Sequence, residues 1–493
     1  MTAGLLFSIV IAYFFILLVV AWYTGRNSNN ESFFIGNRNS NWMLVAFGMI
    51  GTSLSGVTFV SVPGDVGKTA FSYLQVAFGN MLGYVVIAFV LLPLYYRLQL
   101  TSIYNYFNTR FGVRSYKTGA SFFILSRTLG ATARLYLVVN ILQNLLQETF
   151  GNQFTVPFWL TTLIILMMIL LYTFEGGVKT IVYTDTLQTT CMLSGLVICI
   201  IYILNHLDLS VGTSLQAMSD KGMSQIFFWD PNSPHFFLKQ VLGGAFITIT
   251  MTGMDQEMMQ KNISVKRLVD AQKNVMTLSV IFVVVIILFL FLGGLLYLFA
   301  EQINVTASAD KLFPTLALDA RYMPPAISII FIIALISALF PSADGAITAL
   351  TSSFCIDILN LQTGRPRSEQ QKKNIRRVVH LGFTVIFMVV VLIFRQIDSS
   401  SMISVILKVA SYTYGPLLGL FAFGILTKRT VNDDMVPQIA IAAPILCFGL
   451  EYFQQYIFGG YKIGLELLII NGLLMFIGLW LCSKDFQKRG LVS

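Results

Sequence analysis

Between residues 3 and 482 the chain is a near-continuous series of apolar runs, each about 20 residues long and parted by short polar stretches. That feature leaves few folds open to it. A run of this length crosses the hydrocarbon of a bilayer as an α-helix, and a helix lets it satisfy its own backbone where no water is available. Thirteen spans are expected, near 3–23, 41–62, 71–96, 118–146, 155–174, 183–205, 236–256, 274–300, 325–356, 376–397, 400–427, 435–455 and 463–482. Only 11% of residues are charged, against roughly 25% in a soluble domain. The expected fold class is an all-α polytopic membrane protein with 13 transmembrane helices.

The chain carries a formal net charge of +9. This excess is topological and does not point to nucleic acid: 22 of the 32 Lys and Arg fall in loops on one side of the thirteen spans, and seven fall on the other. Basic loops stay cytoplasmic, so the N-terminus is expected outside and the C-terminus inside a cell membrane, in bacterial terms the inner membrane. The first span lacks a preceding cation and a small-residue cleavage site, and reads as a span rather than a signal peptide. Five cysteines without metal-ligand spacing read as packing residues, and the three histidines (His206, His235, His380), placed near span ends, suggest no proton relay. No loop is long enough for a soluble module, which argues against a membrane enzyme or a fused sensor.

Polar residues concentrate in two spans. In "GMIGTSLSGVTFVSVPGD" (48–65), glycines and hydroxyls crowd the centre, a composition that predicts a broken helix. Carbonyls freed by such a break at membrane depth are good ligands for a hard cation. In the ninth span Ala338, Pro341, Ser342, Gly345 and Thr348 share one helical face. A stripe of small residues can serve helix packing alone; Asp344 beside it adds an intramembrane carboxylate, which marks functional sites.

Four segments carry a resemblance. "GGVKTIVYTDTLQ" (176–188), "TGMDQEMMQKNISVKRLVDAQK" (252–273), "ALISALFPSADGAITALTSSFCIDIL" (334–359) and "SYTYGPLLGLFAFGIL" (411–426) resemble, in order, the signatures of the sodium/solute symporter family. The resemblance implies the fold shared with the bacterial leucine transporter, with two five-helix repeats of inverted topology. The chain would divide into an extra helix and first cytoplasmic loop (1–40), the first repeat (41–210), the second repeat (211–427) and two further helices with a tail (428–493). It also implies sodium-coupled import by alternating access. A sodium site would take carbonyls of Gly51, Leu54, Ala338 and Pro341 and the hydroxyl of Ser342. Pro341 departs from the family pattern, which often has serine there. Asp185 and Asp344 would be candidates for a second sodium, although relatives place hydroxyls where Asp344 and Gly345 stand.

Substrate is expected beside the break, near Thr52, Ser53, Ser55, Thr58, Phe59, Tyr73, Gln75 and Arg134. The segment resembles sialic acid, monocarboxylate, vitamin and iodide carriers more than sugar carriers, so an organic anion is the first choice and a sugar or polyol the alternative. Gly130 stands where sialic acid carriers hold a clamping Arg; Arg134 is the candidate substitute. Two sodium ions would make anion uptake electrogenic. The expected partners are sodium, a small solute and membrane lipid, with one protomer sufficient and no nucleic acid. A channel would tolerate the polar face, but broken helices and inverted repeats argue against one.

Overall fold

The computed structural model describes residues 3–25, 33, 40–150, 156–173, 177–307, 309–361, 367–397 and 401–484. Arg26, Arg38, Arg365, Lys488 and Arg489 of the orientation argument, and Gly176 of the first signature, lie outside them. The expectation of an all-α fold is borne out. Among the described residues, seven helices are long and apolar enough to cross a membrane, or nine if each of two bent pairs is one span. The other four expected spans are occupied by shorter helices: Phe158–Thr173, Val436–Tyr452, Leu467–Leu481, and Phe237–Thr248 with the π-helical turn Ile249–Gly253 that continues it. By length and composition alone, seven to nine spans are identified among the described residues, which does not confirm the count of thirteen.

The predicted break in the second span is present. Trp42–Ser53 starts on Asn41, whose side chain accepts the Met43 N–H, and ends where Leu54 and Ser55 leave helical geometry (ψ 78° and 172°). Gly56–Thr69 then resumes at 55° to it. Glycines and hydroxyls explain the position, since Gly gains least from helix and Ser and Thr offer the backbone competing hydrogen bonds. A second interruption escaped the sequence reading. Helical geometry fails at Met254, and Asp255 caps a short helix, Gln256–Ile263, by accepting the Glu257 and Met258 N–H groups at 2.9 and 3.3 Å. A third bend of 46° divides Met402–Thr413 from Gly415–Leu426.

Around these pieces the long helices form a scaffold. Pro325–Ser353 is buried over most of its length and packs against both halves of the broken helix, against Val113–Phe150 and against Gly177–Leu207. Tyr73–Val86 and Phe237–Thr248 lie so close that a methyl on Gly79 would strike the Val241 carbonyl, and one on Gly244 the carbonyl of Val76. Cys199, Cys355 and Cys447 are buried and all five cysteines are free thiols, as packing residues would be. His380 is not interfacial. It is buried between Thr173 Oγ1 (3.2 Å) and Thr351 Oγ1 (3.1 Å), because Glu369–Phe394 turns that face inward. Gly244→Val is expected to cost about 1–3 kcal/mol or more through overpacking against backbone that cannot yield. A fall of the thermal transition in detergent, with Gly382→Val at an open position unchanged, is the check.

Candidate ion and substrate site

The broken helix and the Pro325–Ser353 helix meet at the expected place. A methyl on Gly51 would lie 3.7 Å from Pro341 Cγ, and one on Gly56 3.8 Å from the Leu335 carbonyl. The last hydrogen bond of the first half runs from Leu54 N–H to Ile50 O (2.8 Å), and the first of the second half from Phe59 N–H to Ser55 O (3.1 Å). The carbonyls of Gly51 and Leu54 thus lie outside both helical ladders. Opposite them, Ala338, Pro341 and Ser342 are buried, and Ser342 donates its hydroxyl proton to Leu339 O (2.8 Å), which keeps the oxygen's lone pairs available. Buried oxygens with no protons of their own to place suit a hard, singly charged cation. One neighbour was missed: Thr189 Oγ1 points at Gly51 and has no hydrogen-bond partner among the described residues. The run of hydroxyls after Asp185 was the signal available for it.

Beside the break lies a cavity of about 100 Å³. Thr52, Ser53, Ser55, Thr58, Tyr73 and Arg134 line it, as expected, together with Asn80, Tyr84, Thr252 and Arg127, and with apolar Ile247, Met251, Phe282 and Ile406. A larger cavity, about 360 Å³, shares Tyr73, Ile403 and Leu407 as a common wall and carries Lys408 paired with Glu451 (2.7 Å). Two expected contacts fail. Phe59 is fully buried on the opposite side of its helix, stacked among Phe289, Phe313 and Phe331 at 5.4–5.9 Å, so it is core. Gln75 is also buried away from the cavity: its amide donates to Ser72 O and His235 O, and its oxygen accepts the Phe228 N–H, so it pins the loop at 228–235.

The charges around the cavity are unequally satisfied. Arg127 pairs with Glu257 and lies 3.8 Å from Asp255, which also accepts a hydrogen bond from the Tyr414 hydroxyl (3.1 Å). Asp185 does not stand open to a metal ion. Its Oδ2 accepts from Lys261 Nζ (2.8 Å) and from Thr52 Oγ1 (3.2 Å). Asp344 accepts from the Tyr172 hydroxyl (2.7 Å) and the Gly345 N–H. Lys261, one of the 22 cations expected in cytoplasmic loops, is buried because the Gln256–Ile263 helix folds back into the molecule. Its i,i+4 spacing from Glu257 was the legible hint. Arg134 differs from all of these: half-buried and facing the cavity, it has no carboxylate within ion-pair distance and no hydrogen bond among the described residues.

A sequence model described as "Sodium:solute symporter family" matches residues 33–434, most of the chain. The chain belongs to the sodium:solute symporter family. It is 26% identical over 420 residues to sodium-coupled monocarboxylate transporter 1 of Mus musculus, covering 82% of this chain and 66% of that relative. It is 22% identical over 473 residues to the sodium/sialic acid symporter SiaT of Proteus mirabilis strain HI4320, covering 91% and 90%. Against a solved substrate-bound, outward-open structure of a Na+-coupled sialic acid symporter the TM-score is 0.81, with 97% and 99% of the two chains covered at 18% identity, which establishes a common fold.

Ser342→Ala removes one of the few buried side-chain oxygens that face the break. The sodium concentration giving half of the sodium-dependent stabilisation of the purified protein is expected to rise several-fold, roughly the loss of one charge-assisted contact. Ser328→Ala, buried farther along the same helix, should leave it unchanged; equal curves for both variants would place the ion elsewhere.

Proposed function

We propose that the protein is a sodium-coupled symporter that carries a small organic carboxylate across the cell membrane by alternating access, with Arg134 as the anion's counter-charge. The observation that carries this reading is the unpaired guanidinium on a cavity wall that includes no Asp or Glu. An Arg at membrane depth costs free energy unless it finds an anion, and here the transported molecule would supply it. A guanidinium can hold a carboxylate through two parallel hydrogen bonds. Ser55, Thr58 and the free N–H groups at the start of Gly56–Thr69 lie on the same wall to complete its ligation.

The cavity of about 100 Å³ adjoins one of about 360 Å³ across Tyr73, Ile403 and Leu407, so a short acid would lie beside Arg134 alone and a larger acid such as a sialic acid would extend into the second cavity. A neutral sugar or polyol would leave Arg134 without an anion. Sodium at Gly51, Leu54, Ala338, Pro341 and Ser342 would sit beneath the anion and hold the break in its binding geometry, which is how the two solutes would be coupled.

The N-terminus is read as outside, supported by the basic loops even with Lys261 set aside. One protomer holds the whole site and would suffice.

The experiment is uptake of radiolabelled acetate, lactate, pyruvate, nicotinate, sialic acid, glucose and myo-inositol into proteoliposomes with sodium outside. A short-chain carboxylate is expected to accumulate, and Arg134→Gln should reduce its uptake at least tenfold, as loss of a buried charge-assisted contact implies. Accumulation of a neutral sugar undiminished in Arg134→Gln would overturn the reading.

A further inference from the structure

We infer that the Lys261 ammonium is a resident cation that occupies a second ion position inside the protein, so that the transporter uses one sodium where its buried acids would otherwise demand two. This rests on the symport reading above and specifies its stoichiometry. An ammonium has three N–H donors. Lys261 Nζ has three acceptors, Thr52 Oγ1 at 2.6 Å, Asp185 Oδ2 at 2.8 Å and Glu257 Oε1 at 3.2 Å. Each comes from a different helix: the inner half of the broken helix, Gly177–Leu207 and the short Gln256–Ile263 helix. Oxygens from three elements converging on one point form a cation site, and a tethered nitrogen stands at its centre.

The surrounding charge supports the same conclusion. Four buried carboxylates, Asp185, Asp255, Glu257 and Asp344, share this region with two paired cations, Arg127 and Lys261. Arg127 takes Glu257 Oε2 and approaches Asp255, which leaves Asp185 and the second oxygen of Glu257 to Lys261, while Asp344 is held by the Tyr172 hydroxyl and the Gly345 N–H. Glu257 Oε1 lies against Gly345, where a methyl would collide with it, so the ammonium's partners reach the peptide that follows Asp344. Asp185 Oδ1 is fully buried and has no hydrogen-bond partner among the described residues. With the lysine amine removed, that oxygen, Asp185 Oδ2, Thr52 Oγ1 and Glu257 Oε1 would remain around a space about one ammonium wide. Sodium can enter such a space; a proton on Asp185 is the competing way to lose the charge.

Equilibrium binding of 22Na+ to the purified full-length protein, with no organic solute present, tests this. Wild type is expected to bind one sodium. Lys261→Ala and the longer neutral Lys261→Gln should each bind one more than wild type, and Lys261→Arg the same number. The variants' melting temperatures should also rise more steeply with NaCl over choline chloride than wild type's, because a second bound ion adds its own stabilisation. No difference between wild type and the neutral variants would overturn the inference, as would two sodium ions on wild type, a result that needs no variant to fold. Zero on wild type with one on Lys261→Ala would instead refute the sodium-symport reading and leave the lysine's role standing.

Discussion

A charged side chain in hydrocarbon must find its opposite, and the centre of this molecule is organised by that requirement. The effective penalty for burying an ion is several kcal/mol even after relaxation, and stripping one partner from a buried pair costs about 3–5 kcal/mol. Three cations and four carboxylates lie among the helices around the break. Lys261 ties Thr52, Asp185 and Glu257 together, and Arg127 joins Glu257 and Asp255 to them. This network fixes the inner half of the broken helix against the Gly177–Leu207 helix, and so fixes where the freed carbonyls of Gly51 and Leu54 point. The Arg134 guanidinium stays outside it, on the cavity wall.

From that arrangement follows a division of labour between the two halves of the break. Below it, carbonyl and hydroxyl oxygens without protons to donate suit a cation; above it, N–H groups, hydroxyls and a guanidinium suit an anion. A sodium ion bound at the break and a carboxylate bound over it would each relieve what the other leaves unsatisfied, and they share the backbone of residues 51–56. Such coupling would need no long pathway, because both ligands would bias one local element.

The broken helix was legible because glycines, serines and threonines in an apolar span violate the economy of lipid contact at one place, and the Ala338, Pro341 and Ser342 face because helical periodicity is strict. The cavity's polar wall followed from the same break. Phe59 and Gln75 were misplaced, since sequence spacing along a half-helix does not tell which side meets Phe289 and Phe313 or the loop at 228–235. Lys261 was misread for a deeper reason. A lysine six residues after an aspartate in a polar segment looks like a loop cation, and only the interruption at Met254 and Asp255 shows the segment folding inward. The thirteen-span count met the same difficulty, because four of the expected spans are built from helices shorter than the bilayer asks of an isolated span.

The proposed cycle has a fixed lysine, one mobile sodium and one mobile monovalent carboxylate. In that case no net charge crosses the membrane per cycle. A tenfold sodium gradient, worth about 1.4 kcal/mol, would concentrate the anion about tenfold, and a potential of about 100 mV, worth about 2.3 kcal/mol per charge, would add nothing. The most direct measurement is the current from proteoliposomes on a solid-supported membrane when the transported acid is added in sodium, normalised to radiolabelled uptake by the same vesicles. No sustained current is predicted, at any sodium concentration that supports uptake. One positive charge entering per carboxylate would mean a second sodium travels with it and would contradict the account.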